Sequence, residues 1–150
     1  MEPIRYPYSK ANCIFFVVLL ATIVGMSIPH LIKFIVIGDF VNWGLILFVD
    51  LLLIAMFVYL FVKYFIPAFQ NKIALEINSE EIISYIKDVS IKWSDVKEVT
   101  TVSGRYSSSL YIKFKYETDH GDSIRIGLQY IKGDNEKIYD TAILYFEQSN

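Results

Sequence analysis

Two stretches of this chain offer water almost nothing to solvate. Residues 11–28, ANCIFFVVLLATIVGMSI, carry no charge, and residues 43–62 carry one, Asp50. At 1.5 Å per residue each builds a helix of about 27–30 Å, close to the thickness of a hydrocarbon core. These runs explain a composition that is 54% hydrophobic and 16% aromatic, above ordinary globular usage. They also mean that the two halves of the chain face different solvents.

Pro29 interrupts the first run, and HLIKFIVIGDF continues apolar with only His30, Lys33 and Asp39 as relief. The first span therefore covers about 11–28, or bends at Pro29 and extends to 37, or hands over to a segment lying in the interface. The second covers 43–64, with Trp43, Tyr59 and Tyr64 suited to interfacial belts and Lys63 able to snorkel. Pro67 is expected to end it. No small-x-small cleavage site follows the first span, so the pair reads as a two-helix transmembrane hairpin, residues 11–66, and not as a signal peptide. Arg5, Lys10, Lys63 and Lys72 flank the hairpin while only Lys33 belongs to its connection. The positive-inside bias then predicts a cytoplasmic 1–10 segment and a cytoplasmic carboxyl-terminal half.

Asp50 lies about 10 Å in from Trp43 by helix rise, a depth at which an ionised carboxylate costs a few kcal/mol. It needs a partner or a proton. With Pro29 level with Trp43 that partner is Thr22; with the first helix continuing past Pro29, His30 or Lys33 comes within reach. Asp50 is accordingly the hairpin's candidate for an interhelical hydrogen bond, a homo-oligomer contact or contact with another membrane protein.

Cutting after Lys72 leaves five Lys/Arg against three Asp/Glu before the cut and nine against thirteen after it, net +2 and −4. Neither half supplies the concentrated positive surface that nucleic acid requires. The single cysteine, Cys13, excludes an intrachain disulfide framework.

After a linker at 67–72 the hydrophobic period changes to strand-like alternation in KIALEI, IISYI, VSIKW, VKEVTTV, LYIKFKY and SIRIGLQYI, with turn-forming residues between the runs. Leu110, Ile112, Phe114 and Tyr116 share one face, as do Ile124, Ile126, Leu128 and Tyr130, and a hairpin closing near His120 and Gly121 brings the faces together. The last segment, GDNEKIYDTAILYFEQSN, returns to helical period: Ile138, Ala142, Tyr145 and Phe146 form one stripe behind a cap at Asp134 or Asn135. Fewer than eighty residues bury little as a flat sheet. The economical fold is a bent antiparallel sheet or partly open barrel over 73–150, plugged by that helix, which makes the whole chain an α+β membrane protein.

SIKWSDVKEVTTV, preceded by ALEINSEEIISYI and a two-helix anchor, resembles bacterial PH-like (bPH) domain membrane proteins, in which a strand runs into a Trp-Ser-Asp turn. RYPYSK is similar to the start of one two-helix group of this kind. The resemblance covers roughly 70–150 and the anchor more loosely, and it implies a PH-like domain on the bacterial cytoplasmic membrane. Glu81 departs from the pattern, since glycine is common in that first hairpin. Independently of the family, Ile91 and Trp93 share a strand face and Ser94 or Asp95 is available as a cap. That makes the motif a corner with Trp93 as its packing anchor.

No nucleophile with a base assembles at a recognisable spacing, the two histidines being His30 and His120, and neither a metal-ligand spacing nor a phosphate loop is present. A non-enzymatic chain without cofactor or metal is expected. Its polar candidates are a basic face of Lys113, Lys115 and Arg125, with Lys115 expected opposite Arg125 and suited to an anionic lipid or a partner's carboxylates, and the loop 103–109. Arg105 and Tyr106 at the tip of that loop are residue types enriched in binding hot spots. The expected function is a membrane-anchored module docking a protein or anionic lipid. The alternative is an immunity protein that meets a membrane-acting toxin through the hairpin.

Overall fold

The computed structural model describes residues 2–38, 40–104, 108–119 and 121–149, with backbone alone at Leu31, Phe34, Phe40 and Ser103. The chain divides into two compact units, Ala11–Ile66 on one hand and Met1–Lys10 with Pro67–Asn150 on the other.

In the helical unit, α1 (Lys10–Ile37) runs through Pro29 without a break. Gly38, at φ +79°, follows it, a left-handed backbone that glycine adopts without a Cβ penalty. Next comes α2 (Phe40–Leu60), which continues through one π turn, Phe61–Phe65, into the short α3 (Ile66–Phe69). Pro67 thus lies inside the last helical turn and does not end the span as expected. In a regular α-helix its ring would strike the carbonyl of residue 63, and the wider π turn falls there. The covered positions of α1 include Cys13, Phe16, Val17, Leu20, Val24 and Ser27, and those of α2 include Trp43, Ile46, Asp50, Leu53 and Phe57. Both sets step by three and four residues, the spacing of one helical stripe. Outside the stripe, large apolar side chains such as Phe15, Val18, Phe48 and Leu52 stand exposed. Both helices are long and apolar enough to cross a bilayer.

The other unit is α+β and all its strand pairs are antiparallel. Its first sheet has the order β1 (Ile4–Pro7), β2 (Ile73–Ile77), β3 (Glu81–Ser84), β4 (Val89–Lys92). Its second has the order β5 (Val96–Ser103), β6 (Ser108–Thr118), β7 (Gly121–Gly127), and α4 (Asn135–Ser149) closes the chain. The core draws on alternate strand positions, Leu75, Ile77, Ile82, Ile91, Val99, Leu110, Ile112 and Ile126, and on Ile138, Ala142 and Tyr145 of α4.

The amino-terminal segment is a full member of this unit. Ile4, Arg5 and Tyr6 register with Ile77, Glu76 and Leu75. Beyond the strand, Tyr8 N–H donates to the Lys72 carbonyl at 3.2 Å and Ser9 N–H to the Tyr130 carbonyl at 2.7 Å. Tyr145 Oη donates to the Glu2 carbonyl at 2.7 Å, which ties the segment to α4 as well. The helical hairpin is therefore an insertion between two neighbouring strands.

Asn78 explains the absence of glycine at Glu81. Its Oδ1 accepts from the backbone N–H of both Glu80 and Glu81 at 2.9 Å, an Asx arrangement that builds the turn from a side chain. Between the sheets the chain makes a 3-10 turn, Trp93–Asp95, without a side-chain cap, so the capping expected of Ser94 or Asp95 is not made. Trp93 is fully buried, its Nε1 donates to the Asn78 carbonyl at 2.8 Å, and its ring lies 6.3 Å from that of Phe146.

Candidate functional site

Asp50 is 6% exposed, and its partner is a residue the sequence reading did not name: Ser27 Oγ stands 2.9 Å from Asp50 Oδ2. Thr22 instead returns its hydroxyl to the Val18 carbonyl, while His30 and Lys33 are exposed. Helix register explains the correction. Cys13 Sγ meets the Tyr64 carbonyl at 3.6 Å, and the residue numbers of this pair and of Ser27 with Asp50 have the same sum, as a hairpin folding at Gly38 requires. Levelling Pro29 with Trp43 would have demanded a turn about two residues earlier. Ser27 Oγ also lies 2.7 Å from the Val24 carbonyl. The Ser27 hydroxyl is thus placed between a backbone carbonyl of its own helix and the Asp50 side chain of the other.

The basic face differs from expectation in its pairing. Leu110 registers with Ile126 and Tyr111 with Arg125, so Lys115 does not face Arg125, and Phe114 does not face Ile126. Extra residues of β6 are absorbed in an irregularity between Lys113 and Thr118, which shifts everything beyond it. Lys113 stands between Glu98 on β5 and Ser123 on β7. An acid opposite a lysine is a favourable cross-strand pair, and the anomaly that called for an external anion disappears. Lys113, Lys115 and Arg125 remain exposed. Tyr116, expected on the core face, falls in the irregular stretch and is 79% exposed. Arg105, Tyr106 and His120 lie outside the described residues.

An open cavity of about 260 Å³ lies between β4, the Trp93 turn and the end of β6, with Ser90, Lys92, Asp95, Phe114 and Asp119 in its wall. Its polar groups are mixed in sign, and the Ser90 hydroxyl donates to the Glu81 carboxylate on the neighbouring strand. Among the described residues no three His, Cys, Asp or Glu side chains come together as metal ligands.

Where the chain passes into the helices, the sheet assembles a group that periodicity could not reveal. Lys10 Nζ lies 5.8 Å from the centroid of the Phe69 ring. Lys72, opposite Tyr8, is exposed on the neighbouring segment. Comparisons with protein-family models, curated proteins and solved structures find no match to this chain.

Proposed function

We propose that this protein is a membrane-anchored interaction module of the bacterial cytoplasmic membrane, whose PH-like domain docks a protein partner or anionic lipid and performs no covalent chemistry. The observation that carries this reading is the clipping of residues 4–9 onto the strand that follows the hairpin. Because both ends of the hairpin belong to one unit, they share one side of any bilayer the helices cross. The flanking cations Arg5, Lys10, Lys63 and Lys72 argue that this side is cytoplasmic. Four antiparallel strands, a tryptophan corner, three more strands and a final helix support the PH-like reading. So does the mixed-sign, shallow character of the available surface, which suits recognition better than catalysis.

The alternative, an immunity protein acting through the hairpin, has less support, because the Asp50 carboxylate is engaged within its own hairpin. Reporter fusions at each terminus test the topology: cytoplasmic activity is expected at both, and periplasmic activity at either would sink the reading. Loss of toxin protection on Asp50→Leu, with insertion intact, would instead favour the alternative.

A further inference from the structure

We infer that the junction where the chain enters and leaves the hairpin is a binding site for the headgroup of an anionic phospholipid, built on Lys10 and Lys72. The inference rests on the membrane reading above and adds to it which lipid is preferred and which residues choose it.

The two lysines are remote in sequence and neighbours in the fold. Pro7 registers with Ile73 and Tyr8 N–H donates to the Lys72 carbonyl, so Lys72 stands across from Tyr8, two residues from Lys10. Both backbones are held: Lys72 N–H donates to the Pro67 carbonyl at 2.9 Å, and Ser9 N–H to the Tyr130 carbonyl. Both side chains are exposed. The Lys10 ammonium sits over the ring of Phe69, itself 49% exposed. An exposed aromatic ring beside lysines is the composition of a membrane-interface belt.

Charge singles out the occupant. Residues 3–10 and 67–72 contain Arg5, Lys10 and Lys72 and no carboxylate, whereas 73–150 is net −4. Arg5 is already turned to Glu76. Lys10 is the first residue of α1 and Phe69 the last of α3, so chain connectivity sets this group at the level where helices crossing a bilayer reach its headgroups. Each ammonium offers three N–H donors to a phosphodiester. A choline headgroup brings a cation that two lysines repel, and a glycerol headgroup does not. A lysine near an anionic surface contributes about 1 kcal/mol, roughly a fivefold preference.

The test uses the full chain reconstituted into phosphatidylcholine vesicles containing a minority of phosphatidylglycerol, with spin-labelled forms of each lipid reporting which one the protein retains. Wild type should enrich phosphatidylglycerol. Lys10→Gln with Lys72→Gln should lower that enrichment at least tenfold, Lys10→Arg with Lys72→Arg should keep it, and Lys113→Gln/Lys115→Gln/Arg125→Gln should leave it unchanged. No enrichment by wild type, enrichment surviving the double glutamine variant, or enrichment lost in the triple variant would each overturn the inference. If the double variant does not fold, Lys72→Gln alone, whose ordering contacts are backbone ones, should lose about fivefold. Failure of the membrane reading looks different, since the wild-type chain would then wash off the vesicles in alkaline carbonate.

Discussion

Arg5 stands directly opposite Glu76 in the ladder between β1 and β2, its Nε 3.1 Å from Oε2, although 71 residues separate the two. Glu76 is buried and Tyr85 Oη adds a longer contact at 3.5 Å. Arg5→Ala therefore removes the cation from a carboxylate that the sheet has taken out of water. A loss of roughly 1 kcal/mol is expected, kept modest because the Arg5 side chain is itself largely exposed. Chemical unfolding of Arg5→Ala, Glu76→Gln and the double variant checks it. Additive losses would mean that the two side chains do not interact.

The clipped strand also predicts where the chain is divisible. Replacing Ala11–Ile66 with a short Gly/Ser linker should yield a soluble monomer that unfolds cooperatively, with a near-ultraviolet signal from buried Trp93. Pro67–Asn150 alone should aggregate, because removing β1 bares the edge of β2. Size-exclusion chromatography of the two proteins decides. A well-behaved Pro67–Asn150 would show that β1 is dispensable.

In the hairpin, Asp50→Asn keeps an acceptor for the Ser27 hydroxyl and should preserve the helix pair, whereas Asp50→Leu should loosen it by about 0.6 kcal/mol, near threefold. Cysteines at Leu20 and Phe57, which the same register brings level, report this through their rate of disulfide formation in a Cys13→Ser background. Equal rates in both variants would remove any structural role from the Ser27 contact.

Ser84 is fully buried in β3 and its hydroxyl has no hydrogen-bond partner among the described residues. A desolvated, unpaired hydroxyl is a cost, so Ser84→Ala should raise stability by about 1 kcal/mol. A fall in the unfolding midpoint would show instead that the hydroxyl is satisfied.

Much of the fold was legible because it is written in local periods. The two apolar runs, the alternating segments that became β2 to β7, and the stripe Ile138, Ala142 and Tyr145 each depend on neighbours within a few residues. What escaped depends on partners far away. Ile4–Pro7 is too short for alternation to announce, and its evidence is the ladder with β2. Ser27 is one of two hydroxyls in α1, the other being Thr22, and only a turn fixed at Gly38 selects it. The like-charge pair expected of Lys115 and Arg125 assumed a regular hairpin, and the irregularity in β6 undid it. Glu81 was legible as a departure, but not that Asn78 would do the work of a glycine.

The insertion of the hairpin between β1 and β2 has a consequence for biogenesis. The first strand leaves the ribosome early and finds no partner until residue 77 has followed it, by which time both helices have been synthesised. If the helices cross a bilayer as proposed, a chain in which only one of them inserts leaves Ile4–Pro7 on the opposite side from β2, and its sheet never closes. On the membrane reading, completion of the domain thus reports that the two helices have shared one fate, both across or neither, and a copy in which only one has crossed is left with an open strand edge.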